Sequence, residues 1–508
     1  MSESPLASRG PASGGAAAAG SGARRRVAVL GGGITGLAAA HRASELGADV
    51  LLLEASDRLG GVIATERRDG WVLELGPDSF VTDKPQAAEL SRRLGLGDAL
   101  IPTNDRFRRT LIVHDGRLEA LPEAFQLLAP ARLLPFLRTP ILSVAGKLAA
   151  LRDLVAPRGG PAPGEDESLA SFVRRRLGRE VLDRIAQPMV GGIYTADPER
   201  LSLAATMPRF IELERRHRSL ILGLMRGAQE TPSGTSGARF GLFVTLRDGL
   251  ESLVDALARS LPAGSIRTGA KVVAVRRAAG RWQVDVDGGG TETVDAVIVG
   301  LPAPRAAGVL RGESTALADE LAAIPYASSA IVLLGWRRAD VPRPLDAFGL
   351  VVPEVERRRI IAASFSSVKY DGRAPGDHVL VRVFLGGAMH PEAVAAGDAE
   401  MLATARAELR DLLGITAEPV LQRVGRWPES MPQYHVGHQS RVARIRGLEA
   451  DLPGLALAGN AYDGVGLSDC VRSAEAAVAA VLSDPAAKRS PAAAPAGGAP
   501  RARATATA

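Results

Sequence analysis

Short apolar runs alternate with runs of small residues near the N-terminal end of the chain. Residues 26–30 (RVAVL) and residues 49–53 (DVLLL) are apolar after their first position. Each run has the length and the Val and Leu content of a strand that is buried on both faces. Between them, residues 34–40 (ITGLAAA) are small and favour a helix packed closely on a sheet. The pattern therefore predicts a strand, a helix and a second strand, the first unit of an α/β domain.

Helical patterns dominate the next part of the chain. Residues 70–77 predict a strand that runs into a turn, and residues 86–96 have the apolar spacing of an amphipathic helix. From about 97 to 232, Leu, Ala and Arg dominate and prolines punctuate the chain, so we expect a helical insertion. Within it, Ser168 stands in the N-cap position of a helix predicted over residues 169–177.

The spacing of apolar residues then changes from that of helices to that of strands. Residues 271–275, 282–286 and 294–299 predict three strands, with which the chain returns to the first domain. Strands and helices alternate from about 325 to 420, which predicts a second region that contains a sheet. In residues 452–473, an apolar strand precedes a loop with several glycines and an Ala-rich helix.

A glycine motif joins the first predicted strand to its helix. Gly31 permits a tight turn, Gly33 lets backbone N–H groups approach a pyrophosphate, and Gly36 lets the helix pack closely on the sheet. Glu54 ends the second strand 21 residues after Gly33, close to the spacing of an acid that binds a ribose hydroxyl. An acid there argues against NADP, whose 2'-phosphate it would repel. The unit therefore predicts a site for FAD or NAD.

The residues after Glu54 favour FAD. Arg58 is followed by the paired glycines Gly60 and Gly61, which together bring a guanidinium and bare backbone to a diphosphate. This arrangement resembles the flavin amine oxidase superfamily. The helix predicted near Ser468 offers a second helix N-terminus to the same cofactor.

Composition narrows the classes of protein further. A chain of 508 residues, 46% of them hydrophobic, is too long for one compact core and predicts two or three domains. Its 62 basic and 56 acidic residues are interspersed, and the net charge of +6 does not favour nucleic-acid binding. One cysteine excludes an internal disulfide framework, and we interpret Cys470 as a small buried residue. His435 and His438 have no acidic cluster nearby, so we expect a loop there and no metal site.

The two ends of the chain differ from its body. Residues 1–22 and 484–508 are rich in Ala, Gly, Ser and Pro, which predicts disordered tails. A secretory signal is disfavoured because its apolar part, residues 27–40, already belongs to the nucleotide fold. No apolar run reaches the length of about 18 residues that a transmembrane helix needs. We therefore expect a cytoplasmic protein.

Several motifs in one order make the resemblance more specific. They are residues 74–80 (ELGPDSF), 192–202 (GIYTADPERLS), 432–434 (PQY), 459–462 (GNAY) and 464–470 (GVGLSDC). Together they resemble the family of protoporphyrinogen and coproporphyrinogen III oxidases, over most of residues 24–482. The resemblance implies an FAD-dependent, six-electron oxidation of a porphyrinogen in heme biosynthesis, with O2 as acceptor and H2O2 as product. The flavin carries the chemistry, so no catalytic side chain is assigned.

The resemblance also implies which residues bind the cofactor, and those with small side chains let the backbone approach it. The residues implied are Gly31, Gly33, Ile34, Thr35, Gly36, Glu54, Ala55, Arg58, Gly60, Gly61, Gly76, Pro77, Asp78, Ser79, Val273, Gly459, Asn460, Val465, Gly466 and Leu467.

Four residues are candidates for substrate contact. Lys84 and Arg109 are candidate cations that bind the propionate groups of the porphyrinogen. The alternative for each is that it is a solvated charge on the surface. Tyr194 and Phe365 are candidates for the apolar wall of the pocket, with core packing as the alternative for a single aromatic residue.

The predicted fold is α/β, a Rossmann-like FAD domain of the amine oxidase type with a mixed-sheet substrate domain and a helical insertion. Its parts are listed in chain order: a tail (1–22), FAD domain, first part (23–96), helical insertion (97–232), FAD domain, second part (233–300), substrate domain (301–425), FAD domain, closing part (426–483), and a tail (484–508). Leu-rich segments around residues 125–150, with basic residues beside them, predict a peripheral contact of the insertion with the cytoplasmic face of the membrane.

Two other functions remain open from the sequence. A flavin amine oxidase or a desaturase shares the cofactor architecture but acts on another substrate. A carrier or chaperone that binds a prenyl group needs no intact flavin site. The expected partners are a porphyrinogen and O2, with no nucleic acid, and a homodimer is one outcome for the oligomeric state.

Overall fold

The structure is a computed structural model that describes residues 24–123, 125–160, 165–229 and 243–483. The predicted tails at 1–22 and 484–508 lie outside the described residues.

The helices range in length from 3 to 16 residues. They are α1 (Ile34–Glu45), α2 (Gln86–Arg93), α3 (Leu133–Arg138), α4 (Val144–Leu151), α5 (Leu169–Leu177), α6 (Arg179–Val181), α7 (Gln187–Tyr194), α8 (Leu203–Thr206), α9 (Pro208–His217), α10 (Leu220–Gln229), α11 (Glu251–Ser260), α12 (Ala303–Leu310), α13 (Thr315–Ala322), α14 (Ser366–Lys369), α15 (Glu392–Ala395), α16 (Asp398–Leu413), α17 (His438–Ala450) and α18 (Leu467–Leu482).

The strands belong to two large and four small sheets. They are β1 (Arg26–Leu30), β2 (Asp49–Leu53), β3 (Thr65–Arg68), β4 (Trp71–Glu74), β5 (Phe80–Val81), β6 (Leu100–Pro102), β7 (Thr110–His114), β8 (Arg117–Ala120), β9 (Phe125–Gln126), β10 (Ala129–Pro130), β11 (Phe243–Leu246), β12 (Ile266–Arg267), β13 (Val272–Ala278), β14 (Arg281–Val286), β15 (Gly290–Val294), β16 (Ala296–Val299), β17 (Tyr326–Arg337), β18 (Gly349–Val351), β19 (Ala362–Phe365), β20 (His378–Gly386), β21 (Leu421–Pro432) and β22 (Leu455–Leu457).

A five-stranded parallel sheet, in the order β12, β2, β1, β16, β22, carries the predicted strand–helix–strand unit. Val27 and Val29 of β1 face a core shared with α1, α11 and α18. Ala28 and Leu30 face a second core, shared with β14, α12 and α13. Helices or strands therefore cover both faces, which explains why β1 is apolar from Val27 to Leu30. The α/β class predicted from the sequence is confirmed.

The predicted strand at 294–299 is divided between two sheets. β15 ends at Val294 in a three-stranded antiparallel sheet with β13 and β14, whereas β16 begins at Ala296 in the parallel sheet. Asp295 lies between them, and its carboxylate accepts a hydrogen bond of 2.8 Å from the backbone N–H of Arg26. This contact fixes the point at which the chain re-enters the parallel sheet.

The second large sheet has seven strands in the order β21, β17, β20, β19, β18, β7, β8, and only β7 and β18 pair in parallel. On β17, Ala330, Val332 and Leu334 face a core that includes α16. Ile331 and Leu333 face the opposite side, where the β3–β4 hairpin packs. The first part of the chain therefore reaches directly onto the second sheet, which is mixed as predicted.

Helices α3 to α10 form a third layer with its own core. At its centre, the Nε of the buried Arg176 donates a hydrogen bond of 2.7 Å to Asp153, which is fully buried. The helical insertion was predicted to begin at residue 97, but residues 100–130 contain β6 to β10, and the helices begin at Leu133. β7 and β8 belong to the seven-stranded sheet because Thr110–His114, rich in β-branched residues, pairs with β18. In the described chain, every helix is too short or too polar to cross a membrane.

Candidate functional site

The turn between β1 and α1 has the geometry that its glycines predict. Gly31 has a φ of +98°, and its N–H donates to the carbonyl oxygen of Leu53 at 2.8 Å. A Cβ on Gly36 would overlap the carbonyl oxygen of Gly31, so only glycine allows α1 to start there. A Cβ on Gly33 would meet no atom of the described residues within 4 Å, so they leave open space beside the N-cap of α1. Ile34 and Thr35 follow in its first turn, which is suited to an anion.

Glu54 lies at the end of β2, against this turn. Its carboxylate accepts hydrogen bonds from the N–H of Gly32 at 2.6 Å and from the N–H of Ser56 at 2.8 Å. The carbonyl oxygen of Glu54 accepts from Ala270 at 2.7 Å, so the strand that leads to Val273 runs alongside Glu54 and Ala55. The Val273 side chain is 45% exposed on β13. The predicted ribose-binding acid thus stands where the pyrophosphate turn and this strand meet.

Arg58 and the paired glycines pack on the same turn. The N–H of Gly60 donates to the carbonyl oxygen of Gly32 at 2.8 Å, and a Cβ on Gly61 would lie 3.3 Å from the Cα of Gly33. The guanidinium of Arg58 donates to three backbone carbonyl oxygens, among them that of Ile63 at 3.1 Å. The segment therefore brings a cation and bare backbone next to the predicted diphosphate position.

The segment from Gly76 to Ser79 carries a buried charge cluster that the sequence analysis did not find. Asp78 accepts hydrogen bonds from Lys369 at 3.1 Å and lies 2.9 Å from the guanidinium of Arg382, which also donates to the carbonyl oxygen of Gly76. Burial alone raises the pKa of Asp78, but the charges of Lys369 and Arg382 outweigh it and hold that pKa well below the usual range. Asp78 is therefore a permanent anion that ties the Gly76–Pro77 turn to the seven-stranded sheet.

The sequence did contain a signal for this cluster. Arg382 is a lone cation in the middle of β20, a strand whose other residues up to position 385 are mostly apolar and buried. A buried arginine requires a partner anion, which predicts that another segment supplies one.

The closing loop, which we define as residues 459–466, joins β22 to α18. Gly459 and Gly464 both have a φ of +128°, a conformation that favours glycine. A Cβ on Gly464 would overlap the carboxylate of Asp469, and Gly466 is the N-cap of α18. Asn460 and Val465 lie between these glycines, and Leu467 opens the helix.

The N-termini of α1 and α18 meet at Thr35. A Cβ on Gly459 would lie 3.8 Å from the Oγ1 of Thr35. Cys470 is buried beside Thr35, and its burial raises the pKa of the thiol to about 11. Cys470 is thus a packing residue with an unreactive thiol, and two helix N-termini converge on one place.

The four predicted substrate residues lie in different surroundings. Lys84 donates to Asp469 at 2.7 Å, so it lies at the closing loop, and its side chain is 49% exposed. Arg109 pairs with Asp346 beside the seven-stranded sheet. Tyr194 ends α7 and donates to the carbonyl oxygen of Thr206 at 3.3 Å. Phe365 is 1% exposed and lies inside the core of that sheet. Of the four, Lys84 lies beside the closing loop through its bond to Asp469, and Tyr194 packs on the same core as Val465 of that loop.

A cavity separates α7 from the seven-stranded sheet. Gln187, Gly191 and Thr195 line its helical side, and Glu354 and His390 line the opposite side. His390 contacts Glu354 at 2.8 Å through Nε2. Thr195 and Ala196 of the motif at residues 192–202 therefore lie on the wall of this cavity.

The described residues contain one group of side chains with the spacing of metal ligands. His114, Asp115 and Glu356 bring their ligand atoms within 4.8 Å of one another. The guanidinium of Arg184 lies 2.6 Å from His114 and 3.6 Å from Glu356, and Glu356 also accepts from backbone N–H groups. We therefore interpret the group as an ion-pair cluster that joins the helical layer to β7.

The fold and these loops define the class of the protein. The chain belongs to the family described as flavin containing amine oxidoreductase, whose model matches residues 34–482. FAD is the cofactor, and the open space at Gly33, the N-terminus of α1 and the acid at Glu54 fit it. The amine substrate in the family description applies to the superfamily as a whole.

Individual relatives are more specific. The chain is 34% identical over 473 residues to coproporphyrinogen III oxidase of Bacillus subtilis, across 90% of this chain and 98% of that protein. It is 37% identical over 493 residues to coproporphyrinogen III oxidase of Propionibacterium freudenreichii, across 90% of this chain and 92% of that protein. It is 33% identical over 489 residues to protoporphyrinogen oxidase of Bos taurus, across 90% of this chain and 98% of that protein. The resemblance found in the sequence is confirmed.

Solved structures agree on the fold. The crystal structure of a candidate protoporphyrinogen oxidase from Exiguobacterium sp. 255-15 matches with a TM-score of 0.80 and 32% identity, over 90% of this chain and 98% of that chain. A triple mutant of putrescine oxidase matches with a TM-score of 0.65 and 18% identity, over 90% and 99%, which supports the fold alone.

Proposed function

We propose that this chain is an FAD-dependent porphyrinogen oxidase of heme biosynthesis, and that coproporphyrinogen III is its substrate. The observation that carries the proposal is the similarity to two bacterial coproporphyrinogen III oxidases, at 34% and 37% identity over 90% of the chain. The reaction removes six electrons and six hydrogens from the macrocycle, and three O2 molecules become three H2O2. Bound FAD supplies the two-electron acceptor for each of the three rounds.

The residues of the chain bind the cofactor, orient the substrate and exclude water. The turn at Gly31–Gly36 and the N-terminus of α18 would hold the cofactor, and Glu54 would accept from the ribose. The helical layer packs on the closing loop through Val465, which contacts the same core as Tyr194. This apolar contact excludes water from one side of the predicted flavin position.

Lys84 is the cation we assign to a propionate group of the substrate. Its ammonium donates to both oxygens of Asp469, and half of its side chain is exposed. An ammonium has three N–H donors, so Lys84 can hold Asp469 and still donate to a carboxylate from solvent. Coproporphyrinogen III has four propionates and protoporphyrinogen IX has two, so a site with cations favours the former.

Steady-state kinetics with both porphyrinogens test the proposal. Each substrate is prepared under reducing conditions, mixed with the purified holoenzyme, and followed by porphyrin fluorescence once air is admitted. We expect a higher kcat/KM for coproporphyrinogen III. A higher kcat/KM for protoporphyrinogen IX would overturn the substrate assignment, and oxidation of putrescine with neither porphyrinogen reacting would overturn the whole proposal.

We also propose that the helical layer contacts the membrane surface from the cytoplasm. Five large apolar side chains are exposed in one stretch, including Leu134 at 67%, Val144 at 74% and Val155 at 73%. Val144 and Leu148 are four residues apart on α4, so they share one face. Exposed arginines flank them at positions 132, 138, 152 and 158, which favours anionic lipid head groups.

Vesicle co-sedimentation tests this contact. The holoenzyme is mixed with vesicles of phosphatidylglycerol and phosphatidylcholine, and the pelleted fraction is measured. We expect binding that falls when Val144 and Leu148 are both changed to Asp, and no fall with the control Val420→Asp, whose side chain is 55% exposed elsewhere. Equal pelleting of both variants and the parent, or no pelleting at all, would contradict the proposal.

A further inference from the structure

Two buried side chains hold the backbone of the closing loop. The hydroxyl of Tyr434 donates to the carbonyl oxygen of Asn460 at 2.6 Å and accepts from the N–H of Gly464 at 2.9 Å. His438 contacts the carbonyl oxygen of Tyr462 through Nε2 at 3.0 Å. Because a carbonyl oxygen only accepts, Nε2 of His438 carries the proton in this contact. Three backbone groups of one loop are therefore fixed from outside it.

The two side chains also fix each other. Their rings stack with centroids 3.9 Å apart and an angle of 11° between the planes. Tyr434 is 2% exposed and His438 is 4% exposed, so neither has space to adopt another rotamer freely. Burial lowers the pKa of His438, which keeps its imidazole neutral, and burial raises the pKa of Tyr434.

Tyr434 and His438 lie where the helical layer meets the flavin-binding part of the chain. The carbonyl oxygen of Tyr434 accepts from the N–H of Ser202 at 2.7 Å, and Val436 donates to Arg200 at 2.9 Å. The ring of Tyr434 belongs to the core of the helical layer. Tyr434 thus anchors the loop to the core of the helical layer, against which Val465 of the loop also packs.

We propose that Tyr434 and His438 are positioning residues that hold the closing loop in the conformation that binds FAD. The loop has glycines at a φ of +128° at both Gly459 and Gly464, and it lacks the internal hydrogen bonds of a helix or a strand. Ser473 and Arg472 bond to the backbone of Gly459 and Asp463. Without Tyr434 and His438, the rest of the loop would pay the entropy of ordering when the cofactor binds. The inference rests on the flavin cofactor of the family and is independent of which substrate is oxidised.

A matched pair of substitutions separates positioning from packing. Tyr434→Phe removes only the hydroxyl that holds Asn460 and Gly464. Tyr462→Phe removes the same atom from a tyrosine of the same loop. That hydroxyl is buried and has no hydrogen-bond partner among the residues that the structure describes, and its ring faces another core. His438→Gln keeps an N–H donor at the Nε2 position, whereas His438→Ala removes it.

The readouts are the dissociation constant of FAD, measured from free-flavin fluorescence on dilution of the holoenzyme, and the visible absorption spectrum and reduction potential of the bound flavin. We expect Tyr434→Phe and His438→Ala to raise the dissociation constant about tenfold and to shift the spectrum and the potential. The dissociation constant of FAD should stay within about threefold of the parent in Tyr462→Phe and His438→Gln.

An unchanged dissociation constant, spectrum and potential in Tyr434→Phe would overturn the proposal, as would equal effects in Tyr434→Phe and Tyr462→Phe. If Tyr434→Phe does not fold, the comparison of His438→Ala with His438→Gln decides in the same way. Loss of porphyrinogen oxidation with FAD binding intact would count against the proposed function alone.

Discussion

The charge cluster at Asp78 gives the sharpest prediction about stability. Among the described residues, Asp78 is the only carboxylate that we find within ion-pair distance of the buried Arg382, and Asp78→Asn removes it. The substitution also removes the carboxylate that pairs with Lys369. The Arg382 side chain is 2% exposed and that of Lys369 is 15% exposed, so water replaces little of the lost interaction. Removal of one partner from a buried pair costs about 3–5 kcal/mol. We expect the free energy of unfolding to fall by that amount.

The assay is urea unfolding followed by far-ultraviolet circular dichroism, with Asp319→Asn as the control. Asp319 pairs with Arg311 at 2.9 Å, but both side chains are more than half exposed, so its loss costs about 0–1 kcal/mol. Arg382→Met should cost less than Asp78→Asn, because Asp78 then keeps Lys369. A cost for Asp78→Asn no larger than that of Asp319→Asn would refute the reasoning.

Three further predictions concern the cofactor turn, acid stability and the substrate. Gly36→Ala forces a methyl group onto the carbonyl oxygen of Gly31, so we expect purified protein without the yellow colour of flavin; a normal flavin content per chain would contradict the geometry. Burial lowers the pKa of three histidines below their ordinary 6.5, so the unfolded chain binds more protons than the folded chain near that pH. The free energy of unfolding should therefore fall as the pH drops from 7.5 to 5.5. A free energy of unfolding that stays constant or rises over this range would be the contrary result. These histidines are His41, His435 and His438. Lys84→Met should raise KM for coproporphyrinogen III by about tenfold or more, with the exposed Arg311→Met unchanged as a control; an equal KM in both variants would remove Lys84 from the substrate site.

The parts of the fold that local patterns define were predictable from the sequence. β1 and β2 span the predicted residues 26–30 and 49–53, and α5 spans the predicted residues 169–177. The hydroxyl of Ser168 caps α5 by accepting from the N–H of Ser171, as its position in the sequence predicts. Such elements form from contacts within a few residues, which a pattern along the chain records directly.

Long-range pairing was not predictable in the same way. β7 lies at the start of the supposed helical insertion, yet it pairs in parallel with β18, more than 200 residues away in the chain. Asp78 and Lys369 are separated by 291 residues, and nothing near either one indicates the other. Tyr434 was recognised only as part of a motif, because its bonds to Asn460 and Gly464 depend on how the closing loop folds back.

The central claim is that a porphyrinogen reduces the flavin bound to this chain. The most direct measurement is the absorbance of the holoenzyme flavin when coproporphyrinogen III is added without oxygen, followed by the H2O2 and porphyrin released when O2 is admitted. The account predicts loss of the oxidised flavin absorbance, and then three H2O2 for each coproporphyrin III. An oxidised flavin that persists with both porphyrinogens, but is bleached by an amine, would contradict it.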